Sequence, residues 1–237
     1  MTTHEMAAPD VKIEAARTEA KTHPNPPRHD APPEHPGVRG PDWWLMMKAF
    51  LTQGRKIASC APSSGSMARK MIDGIDWDRA KCIVELGAGT GPITAQLVQR
   101  LRPHTQALVI ELDPMLCARL KARFSGVPNL HVVQGDATKF DQYLAERNLP
   151  QVDHVLSGLP LPSFPEQLRN AVLETSARAL GPTGTFRQLT VMPLVYYKLY
   201  ARYFDNVKFQ FVPWNLPPGG VYLCRGFRPD SVTPPTK

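Results

Sequence analysis

Residues 82–94 read "CIVELGAGTGPIT", and the reading of this stretch decides how the rest of the chain is parsed. Cys82–Leu86 is a short apolar run rich in β-branched residues, as expected of a strand buried on both faces. Gly87, Gly89 and Gly91 follow at once, and their missing side chains let the backbone turn sharply and a ligand come close. Pro92 suits the first turn of a helix, "PITAQLVQRL", whose N-terminal amides face whatever the glycine loop holds. A strand, a glycine turn and a helix in this order open a parallel α/β unit.

The same alternation continues downstream. "ALVIELD" (107–113) and "PMLCARLKARF" (114–124) read as strand and helix, and "LHVVQGDA" (130–137) as a third strand. "VDHVLSG" (152–158) is a fourth strand, "PEQLRNAVLETSARAL" (165–180) a long helix and "GTFRQLTV" (184–191) a fifth strand. "VKFQFVPW" (207–214) and "GGVYLCRGF" (219–227) predict a closing antiparallel hairpin. The expectation is an α/β domain over residues 81–228: a mostly parallel seven-stranded sheet, a C-terminal antiparallel hairpin and helices on both faces.

Two carboxylates stand where such a domain binds ligands. Glu111 closes the second strand about 20 residues beyond the glycines, where a carboxylate accepts from ribose hydroxyls. Asp136, at the end of the third strand, is a second acceptor, suited to an adenine amino group. Together with the glycine loop they point to a nucleoside cofactor. Beyond the fourth strand, "SGLPLPSFP" (157–165) carries Pro160, Pro162 and Pro165, which donate no backbone hydrogen bond. It reads as a rigid, shaped loop at a strand end, a place that often holds ligands.

Composition limits the function classes. A chain of 237 residues with 42% hydrophobic content can bury one full α/β core. Cys60, Cys82, Cys117 and Cys224 are far apart, which argues against a zinc site or a disulfide framework and fits a reducing cytoplasm. No apolar run approaches the roughly 20 residues that cross a bilayer, and no signal-like centre is present, so neither spanning nor secretion is expected. Residues 1–41 hold five of the 28 basic and six of the 21 acidic side chains, leaving 23 against 15 for the remainder. The part expected to fold is therefore the basic part, a surface for anionic partners.

The flanks read differently. "THPNPPRHDAPPEHPGVRGP" (22–41) has too few large apolar residues to offset ordering entropy, so residues 1–41 are expected to form a mobile tail, and 229–237 a second. "DWWLMMKAFLTQGRKIAS" (42–59), wound as a helix, gathers Trp43, Trp44, Met46, Met47 and Phe50 on one side and Lys48, Gln53, Arg55 and Lys56 opposite. Such a helix lies in an anionic bilayer surface or packs on the domain. "APSSGSMARKMID" (61–73) places Ser63 and Ser64 ahead of another helix, so residues 42–80 are read as an N-terminal amphipathic helical segment.

"ELGAGTG", with Glu85 ahead of the glycines, resembles the S-adenosylmethionine motif of class I methyltransferases more than the GxGxxG of dinucleotide enzymes. With "IELDP" (110–114), "QGDA" (134–137), "SGLPLPSFP" and "NLPPGGVY" (215–222), residues 42–228 resemble the bacterial phospholipid N-methyltransferases. That family is related to the ribosomal RNA adenine dimethylases and similar to the ornithine-lipid N-methyltransferases. The resemblance implies that Glu85, Gly87, Ala88, Gly89 and Gly91 cradle the methionine part of S-adenosylmethionine, with Ser64 and Ser157 near that end. It further implies that Glu111 and Leu112 hold the ribose, that Asp136 and Ala137 meet the adenine, and that no metal takes part. Ser157, Gly158, Leu159 and Pro160 then take the place of the catalytic loop.

The implied reaction is methylation of a lipid head-group amine, phosphatidylethanolamine towards phosphatidylcholine, by a peripheral enzyme on the cytoplasmic face of an anionic membrane. Ornithine lipid is the nearest alternative acceptor, and ribosomal RNA adenine the rival from another class. The adenine dimethylases carry Asn or Asp at the loop, then Pro and a stacking aromatic. Here Ser157 replaces the amide and Leu161 follows Pro160, which counts against nucleic acid as partner. In "PLVYYKLYARYF" (193–204) helical spacing groups Tyr196, Tyr197, Tyr200, Tyr203 and Phe204 on one side. Tyr196 and Tyr197 are the candidates there to bind a phosphate or surround a methylated ammonium. Backbone carbonyls of Ser157–Leu159 are expected to accept the amine's remaining hydrogens. His154 reads as structural and Asp153 as exposed.

Overall fold

Seven strands and six helices follow one another in the structure, a computed structural model that describes residues 63–191, 196–213 and 218–228. The strands are β1 (Cys82–Leu86), β2 (Gln106–Glu111), β3 (Leu130–Gln134), β4 (Val152–Ser157), β5 (Leu180–Thr190), β6 (Phe204–Val212) and β7 (Gly219–Phe227). The helices are α1 (Ser63–Ile72), α2 (Pro92–Val98), α3 (Pro114–Arg123), α4 (Phe140–Glu146), α5 (Glu166–Ala179) and α6 (Tyr197–Tyr203). All seven strands form one sheet in the order β3-β2-β1-β4-β5-β7-β6. Neighbours from β3 to β5 are parallel, whereas β7 runs antiparallel between β5 and β6. The expected class I sheet with its C-terminal hairpin is thus present. Chain order reverses between β1 and β4, so a crevice opens beyond their carboxyl ends, where Leu86 pairs with Ser157.

Period-two alternation sorts the sheet's side chains between two layers. Val84, Leu86, Leu108, Ile110, Val155 and Phe186 point to the layer that holds Phe140 and Leu144 of α4, Val172 and Leu173 of α5, and Tyr200 and Tyr203 of α6. Ile83 and Leu156 point the other way, to Met71 of α1 and Leu97 of α2, while Val109 meets Leu120 of α3. Helices therefore cover both faces. This is why the strands read as continuous apolar runs rather than as alternating ones.

Ala68, Met71 and Ile72 of α1 share a core with Ile83, Leu97, Leu156 and Val221. The segment expected over residues 42–80 thus contributes, through α1, a wall of the α/β core. Arg187 of β5, fully buried, fastens it: Nη1 donates to the carbonyls of Met71 at 3.0 Å and Asp73 at 2.6 Å, at the C-terminal end of α1. Burial lowers the Arg187 pKa to about 10, which leaves the guanidinium charged at neutral pH.

Some elements differ from the sequence reading. A 3-10 turn (Ala137–Lys139) and α4 fill the third crossover, which is too short for a distinctive apolar period. β5 begins at Leu180 rather than at Gly184, across a register shift against β4, and β6 begins already at Phe204. Among the described residues no helix is long and apolar enough to cross a membrane. The expected tails, the amphipathic stretch 42–59, and residues 214–217, which include the start of "NLPPGGVY", lie outside the described residues.

Candidate functional site

Gly87, Gly89 and Gly91 all lie in the left-handed region, with φ of 72°, 59° and 82°. Their surroundings give them separate tasks. A Cβ at Gly91 would stand 2.6 Å from Leu120 Cδ2, and one at Gly87 2.5 Å from Leu159 Cδ2. Both glycines allow close packing inside the protein, and Gly87 also lines the cleft described below. A Cβ at Gly89 would meet nothing within 4 Å, so this position leaves the loop open to a ligand. Ala88 is buried against Val109 and Leu120 and supports the loop from below.

Glu111, at the end of β2, braces the loop. Its Oε2 accepts from the Gly89 amide at 2.7 Å and its Oε1 from the Asp113 amide at 2.9 Å. Asp113 in turn caps α3 by accepting from the amides of Met115 and Leu116. Asp136, beyond β3, accepts from the Thr138 amide at 2.9 Å, and its own amide donates to Tyr143 Oη at 3.1 Å.

The proline loop meets the glycine loop backbone to backbone. The Gly158 amide donates to Leu86 O at 2.9 Å, and a Cβ at Gly158 would lie 2.9 Å from Gly87 O, so only glycine permits this approach. The Leu159 carbonyl accepts twice, from Gln188 Nε2 at 2.7 Å and from the Leu161 amide at 2.9 Å. Both of its lone pairs are taken, which removes it from the carbonyls expected to receive an amine.

A cleft opens where these loops meet, and it brings together eight of the expected residues. Gly87, Glu111, Leu112, Asp136 and Ala137 line one part, and Gly158, Leu159 and Pro160 another. Phe164, the aromatic nearest the loop in the sequence, completes an apolar wall with Ile110, Leu168 and Val172, which the sequence reading did not single out although Leu168 and Val172 stand at helical i,i+4 spacing. Carboxylate acceptors beside flat apolar surface and a side-chain-free loop suit a nucleoside with a polar tail. The residues present therefore fit S-adenosylmethionine.

Other expected residues lie elsewhere. Glu85 is fully enclosed beneath the loop, where its Oε2 accepts from Thr94 Oγ1 at 2.8 Å and its Oε1 has no partner. Burial raises its pKa to about 8, so the carboxyl is protonated at neutral pH. Ser157 is fully buried at the end of β4, and its hydroxyl has no partner. The side chain of Ser64 lies outside the described residues. Tyr196 and Tyr197 do not reach the cavity: Tyr196 packs at the core's edge and Tyr197 is exposed. The physical reason is that α6 turns Tyr200 and Tyr203 into the core, where Tyr200 meets the Tyr222 ring at 4.9 Å.

Asp153 also corrects the sequence reading. It is half-buried, and its Oδ2 accepts from the amides of Lys81 at 2.6 Å and Cys82 at 3.0 Å, holding the start of β1. His154 is structural as expected: Nδ1 pairs with Thr185 Oγ1 at 2.7 Å, and burial with the nearby Arg187 lowers its pKa to about 4. Gln188, which the sequence reading did not select, is the residue that ties β5 to the proline loop.

The ribosomal RNA adenine dimethylase family model matches residues 64–162, which take in the glycine loop, Glu111, Asp136 and the first part of the proline loop. The ornithine lipid N-methyltransferase of Singulisphaera acidiphila is 44% identical over 187 residues, 79% of this chain and 97% of that protein. The probable ribosomal RNA small subunit methyltransferase A of Methanosarcina acetivorans is 40% identical over 78 residues, covering 33% of this chain but only 25% of its own length. Among solved structures, the Burkholderia thailandensis 1,6-didemethyltoxoflavin-N1-methyltransferase, with S-adenosylhomocysteine bound, shares the fold. It has a TM-score of 0.57 at 16% identity, over 83% of this chain and 94% of that one. By the extent of the Singulisphaera match and the motif built around Gly87 and Glu111, the chain belongs to that enzyme's family, S-adenosylmethionine-dependent class I methyltransferases related to the ribosomal RNA adenine dimethylases.

Proposed function

We propose that this protein methylates the head-group amine of a membrane lipid, and that the lipid is an ornithine lipid. The observation that carries the reading is the 44% identity over 97% of a relative named for that activity. This displaces phosphatidylethanolamine as the preferred acceptor, since the sequence reading rested that choice on a broader resemblance. The adenine dimethylase reading has less support, because the matching stretch of the Methanosarcina protein is a quarter of its length. The loop of this chain also has Ser157 and Leu161 in place of an amide and a stacking ring.

In this proposal Glu111 keeps its second lone pairs for ribose hydroxyls, Asp136 and Ala137 face the adenine, and the open Gly89 borders the methionine end. Bound there, S-adenosylmethionine would supply a methyl group carried on a sulfonium, an electrophile that requires only an aligned amine lone pair. The chain has to present that nitrogen unprotonated. An alkyl amine has a pKa of about 10 in water. Leu159, Pro160, Phe164 and Leu168 form an apolar wall that excludes water and favours the neutral amine. Because Leu159 is held by Gln188 and lies against Gly87, the wall is preorganised, and orientation is where a transfer reaction gains most.

The protein is proposed to act from the cytoplasmic side at an anionic membrane surface, a reading supported by its net charge of +7 and the Trp- and Met-rich pattern of residues 42–59. The test is methyl transfer from labelled S-adenosylmethionine to vesicles of ornithine lipid, to vesicles of phosphatidylethanolamine and to unmodified ribosomal RNA. Label in the ornithine lipid is expected. Label in RNA alone would overturn the proposal.

A further inference from the structure

Gly135 lines the cleft, yet no left-handed turn requires a glycine there, since the positive-φ glycines of the described residues are Gly74, Gly87, Gly89, Gly91 and Gly226. A Cβ at Gly135 would lie 2.6 Å from Cε2, Cζ and Oη of Tyr143. The Tyr143 ring, and not the backbone, therefore excludes a side chain at this position. Tyr143 does not itself line the cleft, so it supports Gly135 and Asp136 from the protein side.

Tyr143 also holds Asp136, whose polar groups are fixed one after another. Oη of Tyr143 accepts from the Asp136 amide at 3.1 Å. The Asp136 carbonyl accepts from the Lys139 amide at 3.0 Å, and Oδ1 accepts from the Thr138 amide at 2.9 Å. Oδ2 is the remaining polar atom, and a carboxylate oxygen can only accept. The Gly135 amide donates to Glu111 O at 3.1 Å, so both cleft carboxylates belong to one frame.

The base beneath Tyr143 is rigid. Phe140 and Leu144, its neighbours on α4, are buried in the core, and Arg147 Nη1 donates to the Tyr143 carbonyl at 3.0 Å. Thr175 of α5 donates through Oγ1 to the Thr138 carbonyl at 2.9 Å, which fastens the 3-10 turn from the other side. The phenol oxygen thus meets the Asp136 amide from a place set by core packing.

We propose that Tyr143 is a positioning residue for cofactor specificity: by holding the Asp136 amide it aims Oδ2 at the exocyclic amino group of a 6-aminopurine and against a 6-oxopurine. The inference rests on the proposed placement of adenine at Asp136 and goes beyond it. A 6-amino group donates to Oδ2, whereas a 6-oxo group sets lone pairs against it, so the preference depends on where Oδ2 points. Phenylalanine at position 143 keeps the ring against Gly135 but removes the acceptor from the Asp136 amide, which frees the carboxylate to turn.

The experiment is isothermal calorimetry on the full-length protein with S-adenosylhomocysteine and S-inosylhomocysteine, for the wild type, Tyr143→Phe, Asp136→Ala and the double variant. The wild type is expected to bind the adenosyl compound at least about tenfold more tightly, the effect of one hydrogen bond exchanged for a repulsive contact. Tyr143→Phe should reduce this ratio at least about threefold. Asp136→Ala should remove it, and adding Tyr143→Phe should then change the ratio no further. Both compounds are titrated into the same variant, so a general loosening of the fold cancels from the ratio. An unchanged ratio in Tyr143→Phe, whatever its urea midpoint, would mean loop support alone and would overturn the inference. A wild type without preference, or a preference that survives Asp136→Ala, would instead overturn the placement of adenine at Asp136, and the inference with it.

Discussion

Glu111 offers a quantitative test of the cofactor site, because its carboxylate does two things at once. Its two oxygens hold the amides of Gly89 and Asp113 at 2.7 and 2.9 Å from a side chain that is 4% exposed. Replacing it by glutamine keeps the shape but leaves one oxygen. The new NH2 must face one of the two amides, donor against donor, so one charge-assisted bond is lost and one buried N–H is left without a partner. Such a loss costs about 1.5–3 kcal/mol. Part of it destabilises the loop in the free protein, and part removes an acceptor from the ribose hydroxyls. If the ribose contact carries half of this, about 0.75–1.5 kcal/mol, S-adenosylmethionine affinity falls about three- to twelvefold. Isothermal calorimetry on the wild type and Glu111→Gln measures this directly, with urea denaturation as the companion measurement. Affinity within twofold of the wild type, together with reduced stability, would show that Glu111 only braces the loop and would refute its role toward the cofactor.

Two further predictions follow from the same neighbourhood. Gly89→Ala carries only the left-handed backbone cost of about 1 kcal/mol and should bind the cofactor poorly while remaining folded. Gly91→Ala adds a contact of 2.6 Å with Leu120 Cδ2 and should be the less stable of the two, and a higher denaturation midpoint for Gly91→Ala would contradict this division of tasks. Glu85 has a pKa near 8 when folded against 4.5 for the free side chain, so the native state keeps a proton that the unfolded chain has lost between those values. Its stability contribution is complete below pH 4.5 and declines towards pH 8 by at most about 1.4 kcal/mol per unit. His154 opposes this, its contribution being complete above pH 6.5 and lost as the pH falls towards 4, but it is common to both proteins compared. Urea midpoints at pH 5 and pH 8 should therefore diverge between wild type and Glu85→Gln, with the variant the less affected by high pH; parallel profiles would mean that Glu85 is ionised in its buried position.

Much of this fold is legible in "CIVELGAGTGPIT" and the segments around it, because the signals there are local. β-branched runs, a glycine turn and a proline at a helix start act over a few residues, and each names its element without knowledge of the partner. Glu111 and Asp136 were legible for a related reason: a carboxylate at the end of a parallel strand faces the crevice whatever the details of packing. The tyrosines of α6 show where this stops. Helical spacing groups Tyr196, Tyr197 and Tyr200, yet only the position of β7 decides that Tyr200 meets Tyr222 in the core while Tyr197 faces solvent.

Local patterns in the chain were enough for the order of the strands, the parallel sheet with its closing hairpin and the place of the glycine loop, but not for α4. Only the tertiary structure decided that Gly87 and Gly91 serve packing whereas Gly89 lies open, that Leu159 is already bonded, and that Gln188 and Ser157 are neighbours. The physical reason is separation along the chain. The contact between Gln188 and Leu159 spans 29 positions and that between Arg187 and Met71 spans 116, and each depends on strand register, which no local pattern encodes.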